Sequence, residues 1–77
     1  MATKTYKLIE LVGVSDTSME EAIHSAIGRA SRNLKGMDWF EVVEVRGSIQ
    51  KGKVGQFQVK LKVGFRLMDE GELKGVK

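Results

Sequence analysis

A run of strict alternation near the end of the chain constrains its fold most. From Phe57 to Leu67 every second residue is large and apolar, and the residues between are polar, basic or glycine. Successive side chains of a β-strand point to opposite faces, so this pattern predicts a strand of about 14 residues with one buried face. The mean strand has about 5–6 residues, so this one is unusually long for a chain of 77 residues.

A second long strand precedes the alternating one. Residues 39–50 (WFEVVEVRGSIQ) are rich in aromatic and β-branched types, and Lys51-Gly52 supplies the tight turn of a hairpin. Residues 5–12 predict a shorter strand with apolar residues on both faces. The segment from Gly13 to Thr17 is predicted to be a turn, because it gathers Gly, Ser, Asp and Thr.

One helix is predicted from Ser18 to Lys35. Ser18 and Glu21 have the capping-box spacing, in which each side chain satisfies a free backbone N–H of the other residue. Gly36 is the expected C-cap glycine, and Gly28 inside the helix costs about 1 kcal/mol relative to Ala. The apolar residues recur at steps of three and four, as on one face of a helix: Met19, Ala22, Ile23, Ala26, Ile27, Ala30 and Leu34.

The predicted order of elements is therefore β-α-β-β, in the α+β class, as a single domain over residues 1–67. The polar residues 68–77 are predicted to form a poorly ordered tail. A domain of this size buries only about 60% of the surface that its unfolded chain exposes, and one helix cannot cover strands this long. The chain has no Cys and one His, so disulfides and multi-residue Cys or His metal sites are excluded. Association with further copies is the remaining source of stability, and we predict a homo-oligomer.

Charge and composition leave a nucleic-acid-binding module as the alternative function. The net charge is +3, and Trp39 and Phe57 would stack on bases. Against this, Lys and Arg are interspersed with Asp and Glu, and the chain has only five aromatic residues. The N-terminus lacks an apolar signal-peptide core, and no stretch approaches the about 20 apolar residues of a membrane span. We therefore expect a cytoplasmic protein that binds neither membranes nor nucleic acid.

No enzyme signature is found in the sequence. There is no Gly-rich phosphate loop and no Cys nucleophile, and His24 is interpreted as a polar helix position. Glu41 and Glu44 are three residues apart, so a regular strand places them on opposite faces, where they are solvated or form salt bridges between subunits. The chain is accordingly predicted not to be an enzyme.

Four side chains of the hairpin are candidates for binding a ligand. Trp39 opens a strand, where full burial is difficult, and an exposed indole is a stacking platform for a planar ring. Gln58 offers one acceptor and two donors, which match the imide-like edge of a heterocycle. Arg46 and Arg66 are candidates for binding a phosphate. The alternatives are a core or interface anchor for Trp39, a solvent-facing Gln58, and surface or inter-subunit ion pairs for the two Arg residues.

Four segments of the sequence together resemble the dodecins: ELVGVS, EEAIHSAIGRAS, DWFEVVEVRG and FQVKLKVGFRL. The resemblance extends from about Tyr6 to Leu67. It implies a three-stranded antiparallel sheet wrapped around the helix, and twelve copies in a hollow shell. It also implies a protein that is not an enzyme, and that binds flavins to store or buffer them and to quench their photochemistry.

The resemblance also implies roles for individual residues. Trp39 matches the Trp that stacks on the isoalloxazine, with two flavins held between two such residues across a two-fold axis. Gln58 matches the Gln that hydrogen-bonds the pyrimidine edge. Arg46 lies where bacterial-type members carry Arg and favour FMN, and Arg66 is implied in phosphate or assembly contacts. FMN is thus the expected cofactor, with riboflavin and FAD as alternatives and coenzyme A as a second ligand without assigned residues. One departure is Val14, where Thr is common.

Overall fold

The computed structural model describes residues 3–67, and the predicted tail at 68–77 lies outside them. The elements are β1 (Tyr6–Ser15), α1 (Met19–Ala30), β2 (Met37–Gln50) and β3 (Lys53–Arg66). The strands form one antiparallel sheet in the order β1-β3-β2. The predicted class and element order are confirmed. None of the helical structure within residues 3–67 has the length and apolarity that crossing a membrane requires.

β3 is the centre of the sheet, and its alternation builds the core. Val59, Leu61 and Val63 are 0–2% exposed and pack with Ala22 and Ala26 of the helix. The small helical side chains let α1 lie close to the strand. We call the side of the sheet that carries α1 the helix face, and the other side the open face.

β1 continues three residues further than predicted, to Ser15. The expected turn at Gly13 is wrong, because Gly13 pairs with Val59 inside the sheet. This position needs glycine, since a Cβ atom there would overlap the carbonyl oxygen of Ala22. The strand therefore passes directly beneath the helix backbone at this point.

The start of α1 follows the prediction at Ser18, but only half of the predicted capping box forms, because the backbone N–H of Ser18 donates to the hydroxyl oxygen of Ser15 at 3.3 Å and not to the side chain of Glu21. Ser18 is the N-cap, and its hydroxyl oxygen accepts a hydrogen bond of 3.0 Å from the backbone N–H of Glu21. Two acidic residues in the first turn, Glu20 and Glu21, lie at the positive end of the helix dipole. These local interactions explain why the sequence marks this end of the helix clearly.

The predicted end of the helix is wrong. α1 stops at Ala30 instead of Lys35, and the next residues form a tightened turn. Ser31 caps this end and donates its hydroxyl to the carbonyl oxygen of Gly28 at 2.8 Å. Gly36 does adopt a left-handed conformation, with φ of 77°, but it lies outside the helix. Its carbonyl oxygen accepts a 2.9 Å hydrogen bond from β3, so Gly36 starts the return of the chain into the sheet.

The hairpin of β2 and β3 closes through the predicted turn. Lys51 and Gly52 both have positive φ, at 53° and 77°, which is the type I′ geometry that fits the twist of two antiparallel strands. Both strands have 14 residues, in agreement with the predicted length of β3. β2 departs from regular pairing near Asp38, Val43 and Ser48, and each such bulge changes which side chains face the helix.

The helix leaves much apolar surface uncovered. α1 packs mainly on β1 and β3, and the β2 part of the helix face (Phe40, Val42 and Val45) is 44–49% exposed. Ile49 and Val54 near the hairpin turn are 79% and 62% exposed. Extended apolar surface of this kind is normally covered by a partner. The prediction that the strands extend beyond their own helix is confirmed.

Candidate functional site

Trp39 lies at the start of β2 on the open face. A bulge at Asp38 shifts the register, so Trp39 pairs with Gly64 of β3. The indole lies directly over Gly64, where any Cβ atom would overlap the ring. In the single chain the side chain remains 42% exposed. One side of the indole is thus supported by rigid backbone, while a large part of the ring stays accessible.

Tyr6 of β1 is the second ring of this site. Its ring centroid lies 4.8 Å from that of Trp39, with the two planes at 55°. Its hydroxyl donates a 2.6 Å hydrogen bond to Oδ2 of Asp38. Sequence reasoning missed this residue, because only the pairing of β1 with β3 brings residues 6 and 39 together. A signal did exist in the sequence, since this is the only Tyr of the chain.

The surroundings of Tyr6 raise the pKa of its phenol. The hydrogen bond to Asp38 is the main cause, followed by partial desolvation and by the negative charge of Asp38, while the positive charge of Arg66 opposes the shift. A raised pKa means that the folded chain favours the neutral phenol. This group therefore stabilises the fold below about pH 10, the pKa of an unfolded Tyr. The contribution is lost as the pH rises through the pKa of the folded state.

An absorbance titration of the single Tyr tests this arrangement. We expect the folded protein to titrate at a higher pH than the same protein in denaturant. Asp38→Asn should lower the midpoint, because it removes the charge that opposes phenolate formation. Equal midpoints in folded and unfolded wild-type protein would show that the Tyr6–Asp38 hydrogen bond does not exist in solution.

Arg46 and Gln58 form a second group on the open face. They are paired across β2 and β3, and Nε of Arg46 donates a 2.8 Å hydrogen bond to Oε1 of Gln58. The bond identifies the oxygen end of the carboxamide, which is otherwise hard to distinguish from the nitrogen end. Both NH₂ donors of Gln58 and the terminal nitrogens of Arg46 are outside this bond. The structure therefore orients the amide that the sequence singled out.

The expected placement of Glu41 and Glu44 on opposite faces is wrong. Glu41 pairs with Lys62 and Glu44 with Lys60, and those two Lys residues lie on the same face of β3. The bulge at Val43 adds one residue between the carboxylates and brings both onto the open face. Oε1 of Glu44 lies 3.9 Å from Nζ of Lys60, an exposed ion pair that contributes about 0–1 kcal/mol. This pair lies within one chain.

The four candidate residues do not come together in a single chain. Trp39 pairs at Gly64 and Arg46 at Gln58, six residues apart on β3, which corresponds to about 20 Å at 3.3 Å per residue. Arg66 lies at the Trp39 end, opposite Tyr6. The open face thus carries two groups, an aromatic one at one end and an Arg–Gln pair at the other. Within residues 3–67, no three His, Asp or Glu side chains are grouped to hold a metal ion.

This architecture defines a class of small α+β proteins: a three-stranded antiparallel sheet, one helix, and an exposed indole over a glycine. The sequence model of the family named Dodecin matches residues 5–68. A dodecin of Thermus thermophilus is 52% identical over 64 residues, which are 83% of this chain and 93% of that protein. The chain belongs to the dodecin family.

Solved structures agree with this assignment. A crystal structure of a Thermus thermophilus protein has a TM-score of 0.83 and 49% identity, over 87% of this chain and 98% of that one. The dodecin of Streptomyces coelicolor has a TM-score of 0.85 and 46% identity, over 91% of this chain and all of that one. The fold is therefore that of known dodecins across most of the described residues.

Proposed function

We propose that this protein binds flavin, FMN in the first place, and that it stores, buffers and photochemically quenches it without catalysing a reaction. The observation that carries the proposal is the half-exposed indole of Trp39, fixed on the backbone of Gly64. A rigid indole is a suitable surface for a planar ring and an electron donor to an excited one. Membership of the dodecin family supports the same ligand.

The spacing of the site supports a ligand shared between chains. About 20 Å along β3 separates Trp39 from Gln58, which is more than one tricyclic ring system spans. A flavin that stacks on Trp39 would therefore take its hydrogen bond from Gln58 of another copy. This agrees with the two-fold arrangement that the resemblance implies.

The Arg–Gln pair suggests how ring edge and phosphate would be recognised. Arg46 holds Oε1 of Gln58, so the NH₂ group is available to donate to a carbonyl of the pyrimidine edge. The same Oε1 has a second lone pair for the ring N–H. The outer nitrogens of Arg46 would donate to the phosphate of FMN, and Arg66 is proposed for phosphate or assembly contacts. Riboflavin, FAD and coenzyme A are less directly supported, and no residue is assigned to coenzyme A.

Assembly into a homododecamer completes the proposal, with the cytoplasm as its location. The uncovered β2 part of the helix face and the exposed residues of the open face, among them Leu8, Val12 and Val14, provide apolar contact surface. We expect light scattering to give a mass near twelve times 8.6 kDa. We also expect addition of FMN to be followed by strong quenching of its fluorescence. A monomeric protein at micromolar concentration would contradict the assembly, and unquenched FMN would contradict the site.

Salt dependence separates this proposal from a nucleic-acid-binding module. On the open face Glu10, Lys62 and Glu41 are paired side by side across the three strands, so the basic residues do not form an uninterrupted stripe. Binding to a nucleic-acid backbone would weaken steeply with salt, because each neutralised phosphate releases counterions. FMN has a single phosphate, so we expect its affinity to fall only slightly with salt, and we expect oligonucleotides not to bind. Tight, salt-sensitive oligonucleotide binding would favour the alternative.

A further inference from the structure

The indole of Trp39 needs support beyond the backbone beneath it. The residue lies at the start of an edge strand, immediately after a bulge. Gly64 supports one side of the ring but has no side chain to stop the indole from changing rotamer. In the described chain, the ring contact that borders the indole comes from Tyr6, at 4.8 Å.

Tyr6 is itself held in place from two sides. Its backbone belongs to β1 and pairs with Arg66 of β3. Its hydroxyl is bound to Asp38, the residue immediately before Trp39. Three links therefore connect these residues in a closed cycle. Tyr6 contacts the indole of Trp39, Asp38 accepts the hydrogen bond of Tyr6, and Asp38 is joined to Trp39 by a peptide bond. Rotation of the indole toward β1 would displace a phenol that is bonded to the neighbouring residue.

We propose that Tyr6 is a positioning residue that fixes the indole of Trp39 over Gly64 before any ligand binds, and that its hydrogen bond to Asp38 maintains this position. The identity of the ligand rests on the proposed function, but the fixing of the indole does not. A side chain immobilised in advance loses no rotamer freedom on binding, and such preorganisation increases affinity.

Ligand-free protein provides the direct test, because the chain has a single Trp. Time-resolved fluorescence anisotropy of Trp39 should show little local motion in wild-type protein. Tyr6→Leu should add a fast local component and reduce the near-ultraviolet circular dichroism of the indole. Tyr6→Phe, which retains the ring and loses only the hydrogen bond, should give an intermediate result. Asp38→Asn retains an acceptor and should stay close to wild type.

Glu10→Gln is the matched control, since Glu10 is exposed on the same face of β1 and pairs with Lys62. It should leave the anisotropy unchanged, and light scattering should show the same assembly for every variant. Unchanged indole motion in both Tyr6→Leu and Tyr6→Phe would overturn the proposal. If Tyr6→Leu does not assemble, Tyr6→Phe alone decides, with added motion supporting the proposal and wild-type anisotropy overturning it.

FMN affinity gives a second, independent test. We expect Kd to rise about tenfold in Tyr6→Leu and about threefold in Tyr6→Phe. In a Trp39→Phe background, Tyr6→Leu should have a much smaller effect, because a residue that acts through the indole couples to it. Equal effects in both backgrounds would show that Tyr6 does not act through Trp39. If wild-type protein binds no FMN, the proposed function fails, while the anisotropy results still decide the positioning role.

Discussion

Replacement of Trp39 by Ala is expected to weaken FMN binding at least tenfold and to remove most of the quenching of bound flavin. Stacking of a planar base on an aromatic side chain contributes about 1–3 kcal/mol by alanine substitution, and about 1.4 kcal/mol corresponds to a factor of ten. In an assembly of identical chains the substitution removes the indole from every site. Fluorescence titration with FMN measures both the affinity and the quenching.

Trp39→Phe is the matched control for this variant. Phe keeps a flat ring over Gly64 but is smaller and a weaker electron donor, so we expect affinity between those of the wild type and of Trp39→Ala. Light scattering must show that both variants assemble. If Trp39→Ala assembles and binds FMN with wild-type affinity, stacking on this indole cannot be the mode of binding.

A methyl group at Gly13 is expected to have the largest effect on stability. In Gly13→Ala the new Cβ atom would overlap the carbonyl oxygen of Ala22, which is main chain and cannot rotate away. The helix must then move away from β1 and from the core around Val59 and Leu61. Overpacking of a core typically costs about 1–3 kcal/mol, and we expect Gly13→Ala at the upper end. Urea unfolding of the assembled protein measures the change.

Gly28→Ala is the same chemical change in open space. Apart from its chain neighbours and the adjacent backbone of α1, no atom of the described chain lies within 4 Å of the position that its Cβ would take, and the residue is exposed in the interior of α1. Helix propensity alone predicts stabilisation by about 1 kcal/mol. The changes in the free energy of unfolding should therefore have opposite signs in the two variants. Destabilisation by both would mean that Gly28 packs against another subunit, and no loss of stability in Gly13→Ala would contradict the close approach of β1 and α1.

The sequence predicted correctly those features that depend only on residues close together along the chain. The N-cap at Ser18 needs only a hydroxyl and the N–H three residues later. The burial of Val59, Leu61 and Val63 follows from the period of a strand. The end of α1 was mispredicted because the apolar stripe continues to Leu34, although Ser31 already bonds back to Gly28.

Features that depend on pairing between distant residues were beyond sequence reasoning. The bulges of β2 could not be predicted from its amino-acid types, so Glu41 and Glu44 were assigned to opposite faces. Tyr6 joins Trp39 only through the strand order β1-β3-β2. Trp39 and Gln58 were proposed as candidates because Trp and Gln have a recognisable chemistry on an exposed strand. Their separation along β3 could be measured only once the register was known.

Because Trp39 and Gln58 are far apart in one chain, a ligand that contacts both would make ligand binding depend on the concentration of the protein. A molecule that binds both residues bridges two copies, so binding and association become one linked equilibrium. Saturating ligand would hold the copies together at dilutions where empty chains separate. Dilution of a protein whose sites are only partly occupied would release the bound ligand. A storage protein with such a shared site would retain its ligand while the protein is abundant. It would release the ligand when synthesis of the protein stops.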